Sequence, residues 1–181
     1  PYRDIAYRGG IPCMFGINFA LMMQFQANQL LSTMNYIKEC VKHPLFDDFW
    51  AQYTNPAPEE IEVPMLSVGG LNDPDLHLRG NVNSYVAAHS PHKKLLLYSG
   101  THWGSSFQPW ANRTVLRFFD HWLKGVDTGI EREPAVDVHL RTGSDTFTHI
   151  YGNTWPLERT EWTRYYLDAG NRALSLEDGT E

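Results

Sequence analysis

The chain has 181 residues, of which 42% are hydrophobic, 13% aromatic and 20% charged, with a formal net charge of -6. This is enough apolar material for a packed core, which excludes a wholly disordered chain. Lys and Arg are scattered rather than gathered into a phosphate-neutralising stripe, and no apolar run approaches the roughly 18 residues of a spanning helix, so neither nucleic acid nor a membrane is expected as a partner.

The first residues, Pro1-Tyr2-Arg3-Asp4, lack a basic-then-apolar signal pattern and read as an internal start. Leu30, Met34, Ile37 and Val41 recur at helical spacing, which predicts a helix from Phe19 to about Val41, ended near Pro44. Phe46, Phe49, Trp50 and Tyr53 predict a second, shorter helix before the break at Asn55-Pro56-Ala57-Pro58. The Met- and Phe-rich stretch around Phe19 suits either a core face or an irregular pocket lid. Cys13 and Cys40 form no CxxC pair and read by default as reduced, buried thiols, with a single disulfide as the alternative.

After this helical segment, the apolar run Val63 to Val68 ends in Gly69-Gly70, the form of a buried parallel strand. A helix is predicted from Leu76 to Ala88, a second buried strand from Lys94 to Tyr98, and a helix from Pro109 to Lys124. Strand, helix, strand, helix argues an α/β fold with a parallel sheet, whose ligands gather beyond the carboxyl ends of the strands. Beyond Gly129 the pattern changes, since Val136, Val138 and Leu140 alternate with Asp137, His139 and Arg141. That predicts a half-buried strand, and Thr163 to Leu167 a further β run, so an all-β unit is expected to begin here and to stop short of closure.

Asp73 follows the first buried strand and His102 the second, with room for a crossover helix between them. A serine hydrolase needs an imidazole to accept the hydroxyl proton and a carboxylate to orient that imidazole and balance its charge. In α/β-hydrolases the order along the chain is serine, acid, histidine, and Asp73 then His102 fits the tail of that order. Gly-x-Ser-x-Gly is absent: Ser67, Ser105 and Ser144 all lack the flanking glycine pair. The bland readings are a turn-forming Asp73 before Pro74 and a loop His102 with local hydrogen bonds.

The segment Val63-Pro64-Met65-Leu66-Ser67-Val68-Gly69-Gly70-Leu71-Asn72-Asp73 resembles the acid-bearing segment of the cocaine esterase and X-Pro dipeptidyl-peptidase family of α/β-hydrolases. Gly100-Thr101-His102 is similar to that family's histidine loop, and Arg117 to Gly125 to its closing helix. Trp155-Pro156 and Trp162 to Leu167 resemble the opening of its jelly roll, and Asp4 to Gly10 the approach to its helical cap. The resemblance implies a helical cap region over residues 1–57, the C-terminal half of an α/β-hydrolase domain over 58–130, and the first strands of a β jelly-roll domain over 131–181.

The resemblance further implies Asp73 as triad acid and His102 as triad base, with the nucleophile and oxyanion-hole donors on an upstream hydrolase segment, so that this stretch alone is expected to be inactive. Substrate-facing candidates are Phe19 in the cap, Trp103 beside the base, and Asp75, which could hold a substrate ammonium or simply be solvated. The substrate is expected to be a small ester or peptide. His77, His92, His139 and His149 show no zinc-ligand spacing, and neither metal nor cofactor is expected. The rival reading is a non-catalytic module binding sugar or protein through its aromatic β region.

Overall fold

The computed structural model describes residues 6–14, 22, 35–54, 57–73, 77–101, 108–144 and 146–178. At its start, β1 (Tyr7–Arg8) and β2 (Ile11–Pro12) form an antiparallel hairpin. The turn between them is Gly9-Gly10, with φ of 57° and 82°, a conformation that a side chain would strain at both positions. The Tyr7 hydroxyl donates to the Cys40 carbonyl at 2.7 Å, which ties the hairpin to α1 (Tyr36–Lys42). Asn35 caps α1 by accepting the Lys38 N–H, and Asp47 caps α2 (Asp48–Ala51) by accepting the Phe49 N–H. Ala6, Tyr7, Cys40 and Trp50 make a small core here, sealed by the Trp50 indole N–H on the His43 carbonyl at 2.8 Å. Of the helix expected from Phe19 to Val41, Met22 and the last part from Asn35 fall among the described residues. Cys40 is buried and Cys13 partly so, and neither is in a disulfide.

The central sheet contains β3 (Met65–Gly70), β4 (Lys93–Tyr98), β5 (Val136–Arg141) and β6 (Phe147–Gly152), in that spatial order. The first three are mutually parallel and β6 is antiparallel to β5. Helix α3 (Leu78–Ala87) links β3 to β4, and α4 (Pro109–Lys124) lies between β4 and β5. Leu95 and Leu97 of β4 are each 1% exposed and meet Tyr85, Val136 and Val138 in the main core. Burying each such leucine contributes about 1.5–3 kcal/mol, which makes β4 the best-anchored strand. A polar clamp adds direction: the Ser67 hydroxyl donates to the Asn81 carbonyl at 3.0 Å, and the Asn81 amide donates to the Val68 carbonyl at 2.9 Å, pinning α3 onto β3.

Pro109 opens α4 where its missing N–H costs nothing, and Gly125 closes it in the left-handed region at φ 68°, donating to the Asp120 and His121 carbonyls. His121 and Trp122 serve packing: the His121 ring bonds the Val126 carbonyl and the Glu131 carboxylate and lies edge-on to Trp122.

Two features depart from the sequence expectation. Strand β6 occupies a stretch whose turn-forming residues concealed it, and β5 joins the α/β sheet beside β4 instead of opening a separate sheet. An alternating strand buries one face equally well against either neighbour, and the parallel slot beside β4 is filled by Val136 and Val138. Past them, β7 (Tyr166–Asp168) and β8 (Ala173–Ser175) pair as a separate two-stranded ribbon.

Candidate active site

The parallel register brings the carboxyl ends of three strands level, since Gly70 pairs with Tyr98 and Tyr98 with His139. Asp73 leaves β3 through a tight turn in which its N–H donates to the Gly70 carbonyl at 3.1 Å, and its side chain is partly buried. A Cβ on Gly70 would stand 3.4 Å from the Tyr98 hydroxyl and 3.6 Å from the Asp73 Cβ, so the phenol and the acid loop both lie at ordinary contact distance from this end of β3.

The Asp73 loop is fastened to the segment that follows β4. The Leu71 N–H donates to the Tyr98 carbonyl at 2.7 Å, and the Gly100 N–H donates to Asn72 Oδ1 at 3.1 Å. Two residues beyond Gly100 the sequence reaches His102. His102 and Trp103, like Phe19 and Asp75, lie outside the described residues, so of the five site residues expected from sequence the structure places Asp73.

Beside Gly100 and Thr101 opens a cavity of about 600 Å³, bounded on its other sides by Gln108, Trp110, Phe147, His139 and His149. This is the end of a sheet where parallel strands present their loops and where α/β folds hold ligands. Trp110 packs against both Tyr98 and His139, at 6.2 and 4.8 Å between ring centres.

Two of the lining residues, His139 and His149, belong with Asp137 to a cluster that the sequence did not disclose. Asp137 accepts from His139 Nε2 on one carboxylate oxygen and from His149 Nδ1 on the other, both at 3.0 Å. Burial works to raise the Asp137 carboxyl, but the hydrogen bonds and charges of the two histidines outweigh it and hold the group below the ordinary carboxylate range. His139 and His149 are ten residues apart in sequence, yet they face each other across the β5–β6 ladder. The usable sequence signal was the period-two placement of Asp137 and His139 on one strand face, which becomes a cluster only once β6 is recognised as the partner.

Residues 18–104 match the family described as X-Pro dipeptidyl-peptidase, S15. A curated protein of Bacillus anthracis, provisionally named an Xaa-Pro dipeptidyl-peptidase, is 33% identical over 135 residues, which is 72% of this chain and 22% of that protein. Its counterpart in Bacillus cereus is 31% identical over the same shares. The chain therefore spans about a fifth of the length of the curated relatives it matches. The crystal structure of a CocE/NonD family hydrolase from Staphylococcus aureus superposes with a TM-score of 0.86 at 28% identity, over 97% of this chain and 32% of that one.

Proposed function

Since the chain belongs to the X-Pro dipeptidyl-peptidase (S15) and CocE/NonD hydrolase family, we propose that it carries the acid and base of a serine hydrolase acting on acyl esters or on peptides with Xaa-Pro N-termini. His102 takes the proton of a serine hydroxyl as that oxygen attacks the substrate carbonyl, and returns it to the departing alcohol or amine. Asp73 holds the imidazole in the right tautomer and balances its charge, and water then deacylates the enzyme through the same base. With no Gly-x-Ser-x-Gly in the sequence, the serine and its oxyanion-hole donors come from outside these 181 residues, and the stretch alone is inactive.

The observation that supports this reading best is the Asn72–Gly100 hydrogen bond, which couples the Asp73 loop to the backbone leading to His102. Residues 1–57 act as the cap, with Phe19 facing substrate. Asp75 and Trp103 border the acid and the base. Residues 131–181 lead into a jelly roll, after β5 and β6 have extended the hydrolase sheet begun in 58–130.

The test is hydrolysis of a short aryl ester and an Ala-Pro chromogenic amide by the product of the complete reading frame, beside His102→Ala and Asp73→Asn. Turnover that both substitutions abolish supports the triad, and the preferred substrate names the subgroup. Absence of turnover by the folded protein on both substrates, or turnover unchanged in His102→Ala, overturns the reading.

A further inference from the structure

We propose that Asp137, His139 and His149 form a binding site for one divalent transition-metal ion of the zinc class, at the cavity that His139 and His149 line. The three donor atoms lie within 4.8 Å of one another, and the two carboxylate–imidazole separations are 3.0 Å. Ligand bonds of about 2.0 Å in a tetrahedral site require donor–donor edges of roughly 3.3 Å; the two imidazole nitrogens stand 3.0 Å from different oxygens of Asp137, so with either oxygen as ligand one edge is close to that length and the others lie within 4.8 Å.

The scaffold holds the donors in place. Asp137 and His139 share a strand face at positions i and i+2, His149 stands directly across from His139, and the two strands pair over six residues each. Trp110 packs on the His139 ring, and Tyr151 stacks on the His149 ring at 5.6 Å and 25°. Two imidazole nitrogens and one carboxylate favour zinc, cobalt(II) or nickel(II) over magnesium or calcium, which take oxygen donors.

Loading requires no redox partner. A neutral ring moves the proton it directs at Asp137 to its other nitrogen, an imidazolium releases that proton to water, and in either case the freed lone pair binds the ion. Three protein ligands leave a further position for water from the cavity, which His139 and His149 both line.

The site is read without turnover, so its test stands apart from the hydrolase reading. The product of the complete reading frame, stripped with EDTA and exchanged into chelator-free buffer, is titrated with ZnCl2 by calorimetry and with CoCl2 by visible absorption. The expected result is one saturable equivalent at micromolar zinc, a tetrahedral-type cobalt band, and a rise in the thermal midpoint. His149→Gln alters an exposed edge position and Asp137→Asn keeps the side-chain shape; each is expected to weaken zinc by about a hundredfold while the far-ultraviolet circular dichroism stays unchanged. Lack of saturable zinc binding below millimolar concentration, or binding that both variants leave intact, overturns the proposal.

Discussion

Asn72 accepts the Gly100 N–H at 3.1 Å across 28 residues of sequence, joining the loop after β3 to the loop after β4. In the proposed triad the bond ties the loop of the acid to the backbone leading to the base, and a misplacement of about 1 Å at such a site costs up to a hundredfold in rate. Asn72→Ala is therefore expected to lower kcat by roughly ten- to a hundredfold with little change in KM, while the thermal midpoint barely moves because Asn72 is exposed. Asn72→Asp keeps the acceptor and recovers most of the rate. Steady-state kinetics on the hydrolysed substrate decides it, and an unchanged kcat in Asn72→Ala would sink the idea.

Gly69 and Leu97 are expected to be coupled. A Cβ on Gly69 would meet Leu97 Cδ2 at 3.3 Å, with Asn81 and Leu78 each at 3.4 Å, on a strand that has no slack. Gly69→Ala should cost about 1–3 kcal/mol by overpacking and Leu97→Ala about 2–5 kcal/mol by leaving a cavity. The double variant should cost less than the sum, because the methyl occupies part of the space the leucine vacates. Urea unfolding of the four proteins measures the coupling, and strict additivity would show that the two positions do not touch.

Gly125→Ala isolates a purely conformational term. Nothing lies within 4 Å of the added methyl, yet φ is 68°, so the loss should be about 1–2 kcal/mol and should come from the left-handed backbone alone. Gly125→Asn should lose less, since asparagine tolerates that region better. Equal stability of all three proteins would contradict the assigned cap.

Acid sensitivity of the α1–α2 clip follows from Asp47. The hydrogen bond from His43 holds its carboxyl below the ordinary value of 3.8, assisted by the charge of His43 and the Trp50 and Phe49 N–H groups, while Glu39 and Lys42 complete the surrounding charges. A lowered carboxyl stabilises the fold fully above its ordinary value and loses that contribution as pH falls through the lowered one. Asp47→Asn keeps the helix cap but not the charge. It should be less stable than the parent at neutral pH, with the difference shrinking toward zero in strong acid. Urea midpoints followed down the acid range test this, and a difference that grows on acidification would reverse the sign.

The sequence by itself determined every element whose burial is local in its cause. Helix α4 runs from Pro109 to Lys124 as its helical period and its proline and glycine punctuation require, and β4 lies within one residue of its apolar run. The order of strands and helices was enough to foresee a parallel α/β sheet with Asp73 at its carboxyl edge. Partner choice was decided only by tertiary structure. The alternation in β5 states that one face is buried but not against what, and β6, an edge strand with mostly exposed side chains, carries little hydrophobic signal at all. Consequently the pairing of His139 with His149, and the Asn72 side-chain oxygen reaching the Gly100 N–H, were invisible in the sequence: both depend on strand register, which is fixed by the sum of packing across the sheet and not by any residue near either contact.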